Sequence, residues 1–316
     1  MGNGHWSSDA QDALNQQYAS QTTQQTFHNT AANKISTNMA PDKIVVRESR
    51  DSQEHPESLG VVVNLDETGS MDRIPIAMVT QHLTSLLTTM IKHGLPDVQV
   101  MFNGIGDHFV DRFQLQVGQF ESGTTELNHW LTELNLERCG GGNNGESYAL
   151  AWLLNRFISM DCVEKRGEKG VMFTIGDEEC HPIYRARDIT NSTTLKSMLA
   201  NAEIEEFTAK EVLEEAERNF NVFHIIVNHG DCTKGFGAQL LEGWKKLLGE
   251  RVIVLEDESS IAEVIATTVA MLHGASLDAI TAGFDNAKAS AVTTALAKID
   301  IGGIARTGTQ DGVIAL

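Results

Sequence analysis

The sequence predicts a doubly wound, mainly parallel α/β sheet with helices on both faces. Two observations predict it: short β-branched apolar runs recur, and helical periodicities alternate with them. The first run, Gly60-Val61-Val62-Val63-Asn64-Leu65, is apolar at nearly every position, as expected of a strand covered on both sides. Pro75 then stands where a helix can begin, and Val79, Leu83, Leu86, Leu87 and Met90 repeat on one helical face as far as Gly94. A second run covers 98–105. Segment 110–117 alternates polar residues with Phe113, Leu115 and Val117, the pattern of a short edge strand.

The alternation continues with a helix over 148–158 and a strand over 170–175. Thr208-Ala209-Lys210-Glu211 has capping-box form and opens an acidic helix reaching Phe220. A strand at 222–227, a helix at 238–248 and a last strand at 252–255 follow. Ser260 opens a final helix that Gly274 can end. These elements define one domain over residues 59–274. Residues 1–58 form a polar extension, partly helical, with a capping box at Ser8-Asp9-Ala10-Gln11 and a loose Gln-rich stretch behind it. Residues 275–316 form a C-terminal extension with helical spacing broken at Gly283, then a tail.

With 316 residues, 41% hydrophobic and 21% charged, the chain can bury a full-sized core. Its net charge of −19 repels phosphate backbones and anionic lipid, so neither nucleic acid nor a membrane is an expected partner. The sequence shows no basic-then-apolar leader and no run of ~18 apolar residues. Cys139, Cys162, Cys180 and Cys232 form no C-x-x-C pair, which favours reduced thiols and a cytoplasmic location.

Ligands of such sheets bind beyond the carboxyl ends of the strands, where strand order reverses. Three loops qualify. Asp66-Glu67-Thr68-Gly69-Ser70 follows the first strand and brings one carboxylate and two hydroxyls together around a tight turn. Gly176-Asp177-Glu178-Glu179 follows the 170–175 strand with another acid. Between them, Gly140-Gly141-Gly142-Asn143-Asn144-Gly145-Glu146-Ser147 offers an amide oxygen from Asn143 or Asn144. Oxygen donors of this kind suit a hard divalent cation, Mg²⁺ or, in its place, Mn²⁺ or Ca²⁺. Other polar residues have plainer readings. Glu146 reads as an acid favoured by a helix N-terminus, Gly104-Ile105-Gly106-Asp107-His108 as a surface turn, and His224 as a core histidine. Adjacent Cys180 and His181 are too few for a zinc site, and Trp130, Trp152 and Trp244 read as packing residues.

Asp66-x-Thr68-x-Ser70 resembles the D-x-[ST]-x-S signature of the metal-ion-dependent adhesion site of von Willebrand factor A domains, and Asp177 resembles that family's later metal-site aspartate. The resemblance spans roughly residues 59–274. It departs from the family in the middle loop, where Gly-Gly-Gly-Asn-Asn-Gly-Glu-Ser replaces the usual Thr-bearing turn. That loop is similar to bacterial G-G-G-D-x-P-E loops, which places Asn143 at the metal, while counting back from the helix points to Asn144. The resemblance implies a non-catalytic module whose metal, held by Asp66, Thr68, Ser70, Asp177 and one of the two asparagines, accepts an Asp or Glu from a protein partner. It also implies work beside a MoxR-type AAA+ ATPase. The chain has no G-x-x-x-x-G-K-[ST] of its own. Two alternatives stand beside this reading: a Mg²⁺-dependent phosphohydrolase, weakened because position 68 is Thr and not Asp, and an assembly protein of a phage or other large particle.

Overall fold

The computed structural model describes residues 4–69, 71–137, 145–189, 191–228, 231–301 and 303–304, with the side chains of 231–236 outside the description. Its centre is a six-stranded sheet whose strands, in chain order, are β1 (Leu59–Asp66), β2 (Val98–Ile105), β3 (Leu115–Val117), β4 (Gly170–Gly176), β5 (Phe220–Val227) and β6 (Val252–Leu255). Their spatial order is β6-β5-β4-β1-β2-β3. All neighbours are parallel except β3, which runs antiparallel to β2. This is a doubly wound order: the chain winds outward from β1 in one direction, returns, and winds outward in the other from β4.

Every residue of β1, β2 and β4 is buried, as expected of strands with helices on both faces. The helical stretch Arg73–Lys92 is long and apolar enough, by length and composition, to cross a membrane. Here it is a core helix: Leu83, Leu86, Leu87 and Met90 are buried, and it packs against Ile261–Leu272. On the other face, Ala149–Leu153 packs on Ala209–Ala216, and Trp152 meets Trp244 of Asp231–Leu248 edge to face. Gly274, at φ +94°, ends the Ile261–Leu272 helix in the left-handed region that favours glycine.

Several local expectations change, among them that the edge strand is only Leu115–Val117 and the acidic helix ends at Ala216. The first helix is capped by Ser7, whose hydroxyl accepts from the Ala10 N–H, one residue earlier than the expected box. The Gln-rich stretch forms a capped turn, Thr23–Thr26, with reciprocal bonds between Thr22 and Gln25. The helix expected over 148–158 stops early. Leu154–Phe157 tightens to a 3₁₀ turn, and Ile158–Met160 pairs in parallel with Arg47–Ser49.

Both extensions spend their apolar residues on the same core. Phe27, Met39 and Ile44 join it from the N-terminal side, and Val117 on the edge strand donates its N–H to the Met39 carbonyl. That bond covers part of an edge otherwise open to pairing. On the C-terminal side, Val292, Leu296 and Ile301 are buried. Lys288 pairs with Glu263, whose carboxylate is inside the protein and also accepts from Ser85 Oγ at 2.7 Å. Removing one partner of a buried pair strands the other charge. Lys288 is about one-third exposed, which reduces the cost, so Lys288→Met is expected to lose about 1–3 kcal/mol. Urea unfolding tests this. Adding Glu263→Gln to Lys288→Met should recover part of the loss, and an unchanged denaturation midpoint in the single variant would count against the pair as a clamp.

Candidate metal centre

The chain reverses its winding direction between β1 and β4, and the two strand ends at that point carry Asp66 and Asp177. Asp66 is the last residue of β1, and its carboxylate is almost wholly buried. One oxygen, Oδ1, accepts from the Thr68 N–H at 2.9 Å and from Thr68 Oγ1 at 2.6 Å. This side-chain turn fixes the loop that follows. The Glu67 N–H donates to the Ile105 carbonyl and the Met71 N–H to that of Thr68, so the turn is tied to β2 and to the helix beyond it.

The other oxygen of Asp66, Oδ2, accepts from the Tyr148 hydroxyl at 2.7 Å. That hydroxyl also lies 3.4 Å from the Glu178 N–H, on the turn after β4. Trp244 Nε1 donates to the Glu178 carbonyl at 3.0 Å, holding that turn from the helix side. Tyr148 therefore links the turns after β1 and β4. It reaches them only because position 176 is glycine: a Cβ there would lie 1.8 Å from the hydroxyl oxygen.

Asp66, Thr68 and Asp177 are thus brought together and buried. Ser70, Asn143 and Asn144 lie outside the described residues. Glu146, expected as an acid at a helix start, stands just before the Ala149–Leu153 helix but is buried and close enough to Asp66 to feel its charge. Its Oε2 receives no hydrogen bond from any described residue. A parallel bridge to Cys180 sets this direction, with the Glu146 N–H donating to the Glu179 carbonyl and the His181 N–H to that of Glu146. Nothing local to residues 145–148 signals that pairing. Glu67 takes a different path, packing over Gly104 and accepting from Gln116, on the far side of β2.

The electrostatics follow from this crowding. Burial, reinforced by Asp177, raises the Asp66 carboxyl above its usual range, although bonds from Thr68 and Tyr148 pull it back. Burial also raises Glu146, and Asp66, Asp111, Asp107 and Glu178 add to the rise. The Tyr148 hydroxyl is pushed up by burial and then by Asp66, Asp177 and Glu146. These donors are all oxygens, and ionising them together in a desolvated space is costly without a cation. They fit a hard divalent ion better than a soft one.

The turn after β2 is not on the surface as expected. Asp107 and His108 are fully buried, and Asp107 Oδ1 is 3.0 Å from His181 Nε2. Burial pulls His108 down to about 4, so its imidazole is neutral at ordinary pH. His224 is the expected core histidine, stacked on Trp244 and 2.8 Å from Thr174 Oγ1.

No protein-family model matches the sequence, and no curated protein matches it. Among solved structures, the chain is similar to the pilus adhesin SpaC of Lactobacillus rhamnosus GG in its open conformation, at 12% identity and a TM-score of 0.44. That match covers 74% of this chain and 31% of the adhesin. A second form of the same adhesin matches at 12% identity and a TM-score of 0.42, over 70% of this chain and 32% of that one. A von Willebrand factor type A protein from Catenulispora acidiphila matches at 13% identity and a TM-score of 0.36, over 68% of this chain and 42% of that one. The chain thus spans about a third of the adhesin's length. The doubly wound fold stands on the strand order itself.

Proposed function

We propose that the protein is a metal-dependent protein-interaction module whose cation sits among Asp66, Thr68, Asp177 and Glu146. Ser70 and one of Asn143 and Asn144 complete the donor set that the sequence implies. The observation that carries this reading is that three buried acids at the switch point, Asp66, Asp177 and Glu146, all act on the Tyr148 hydroxyl, with Glu146 Oε2 lacking a donor among the described residues. A Mg²⁺-type ion would supply positive charge there and a coordination position for an outside oxygen. The chain's own residues hold the carboxylates in place: Thr68 and Tyr148 orient Asp66, and Trp244 orients the turn that carries Asp177.

The surroundings suit a protein partner. Phe109, Val110 and Ile183 are among the few exposed large apolar side chains of the described residues, and Phe109 stacks edge-on against His181. An apolar rim beside an acid-binding ion is the arrangement expected for docking a protein that presents one Asp or Glu. A MoxR-type AAA+ ATPase is the co-worker that the sequence resemblance implies.

Affinity purification tests the proposal directly. Partner capture by the wild type in Mg²⁺ should fall at least about tenfold in chelator, and Asp66→Ala should lose it in either buffer, since metal and partner binding are linked. Capture that survives both changes would sink the metal-dependent reading. Turnover of a phosphate monoester, lost in Asp66→Ala, would point instead to the phosphohydrolase.

A further inference from the structure

Beside the oxygen-lined centre lies a second cluster of different chemistry. We propose that Asp107, His108 and His181 form a separate site for a borderline transition ion of the Zn²⁺ class. Their ligand atoms all lie within 4.8 Å of one another. Asp107 Oδ1 is 3.0 Å from His181 Nε2 and 3.7 Å from His108 Nδ1. A tetrahedral zinc with bonds of about 2.0–2.1 Å separates its ligands by about 3.3 Å, and the two observed distances straddle that value. Two imidazoles and one carboxylate are a donor set that suits zinc and disfavours Mg²⁺, which seeks oxygen.

The cluster is built by the fold. Asp107 and His108 come from the turn after β2 and are fully buried. His181 comes from the turn after β4, and the bridge between Glu146 and Cys180 holds it against residues 146–147. Its ring rests over Gly145, where a Cβ would lie 2.6 Å from Cε1. Ser147 Oγ, 2.8 Å from His108 Nδ1, is the candidate for a fourth ligand, an oxygen. Cys180 is not a ligand: its sulfur faces the Tyr184 hydroxyl at 3.7 Å, and burial pushes its thiol up to about 12. An ion pair between His181 and Asp107 accounts for two of these residues. It leaves out His108, whose Nδ1 lies 3.7 Å from Asp107 and whose Nε2 is buried with no hydrogen-bond partner among the described residues.

The test uses the full chain, stripped of metal and then titrated with Zn²⁺ by calorimetry in excess Mg²⁺, which keeps the oxygen-lined centre occupied. One equivalent of Zn²⁺ is expected. His181→Ala should weaken uptake at least about tenfold, and so should His181→Gln, which keeps a polar side chain of similar length. Asp66→Ala should leave uptake unchanged. His181 is partly exposed, and circular dichroism checks that its variants fold. Unaltered Zn²⁺ uptake in both His181 variants would overturn the proposal, as would loss of uptake only in Asp66→Ala. Failure at this site removes Zn²⁺ uptake, whereas failure at the oxygen-lined centre removes Mg²⁺-dependent stabilisation, so the two results are distinct.

Discussion

Glu146→Gln is expected to make the metal-free protein more stable at neutral pH and to remove most of the stabilisation gained from Mg²⁺. The sign follows from linkage. Burial and neighbouring acids raise the folded-state value of Glu146 above its unfolded value. Between those two values the native state binds more protons than the unfolded chain, so stability falls as pH rises. A carboxyl held protonated at pH 7 forgoes about 1.4 kcal/mol for each pH unit above its ordinary value of about 4.3, or up to about 3–4 kcal/mol. Glutamine has similar size and carries no such penalty. The variant's melting temperature should therefore rise by several degrees, at roughly 2 °C or more per kcal/mol.

Mg²⁺ should act on the wild type in the opposite direction to pH. A ligand that binds only the native state stabilises it by RT ln(1 + [L]/Kd), about 2.7 kcal/mol at a hundredfold excess over Kd. Because the ion favours ionised carboxylates, its effect should grow from pH 5 to pH 8, where the metal-free protein weakens. Calorimetric melting with Mg²⁺ and with chelator, at several pH values, measures both trends. If Glu146→Gln lowers the melting temperature and leaves the Mg²⁺ effect intact, Glu146 is a hydrogen-bonded neutral acid and not a ligand.

The parts of this protein that were legible in its sequence are those governed by local pattern. Buried parallel strands demand unbroken apolar runs, so β1, β2, β4, β5 and β6 stand out within two residues of their ends. The loops directly after β1 and β4 inherit their position from those neighbouring strands, which is why Asp66, Thr68 and Asp177 come to the same edge of the sheet. The rest depends on contacts distant in the chain. Residues 158–160 read as the end of a helix because their partner, 47–49, lies over a hundred positions away. Glu146 had the appearance of a helix-start acid, and only its bridge to Cys180 turns it inward. Asp107 and His108 sit among glycines and polar residues, a turn-like composition, and are buried because His181 and Ser147 close over them. Tyr148 carried a faint signal: a large hydroxyl-bearing ring next to the Glu146-Ser147 loop, facing a strand that ends in glycine.

That last pairing yields the other large expected effect. Gly176→Ala would place a methyl group 1.8 Å from the Tyr148 hydroxyl oxygen, 2.4 Å from Cζ and 2.6 Å from Cε1. The ring is fully buried, between Trp244 at 5.4 Å and His224 at 5.1 Å, centroid to centroid. It cannot swing away without disturbing both. Overpacking of this kind costs about 1–3 kcal/mol, and losing the hydroxyl bond to a buried Asp66 adds about 1–3 kcal/mol. The variant should therefore unfold at markedly lower urea. Tyr148→Phe separates the two contributions, since it removes the bond to Asp66 without adding volume. In the double variant the hydroxyl clash is gone while the clashes at Cζ and Cε1 remain, so rescue should be partial. Full additivity of the two single losses would mean that the methyl group and the ring never meet. If Gly176→Ala is as stable as the wild type and still shows the Mg²⁺ effect, Tyr148 does not hold Asp66 in the way the structure places it.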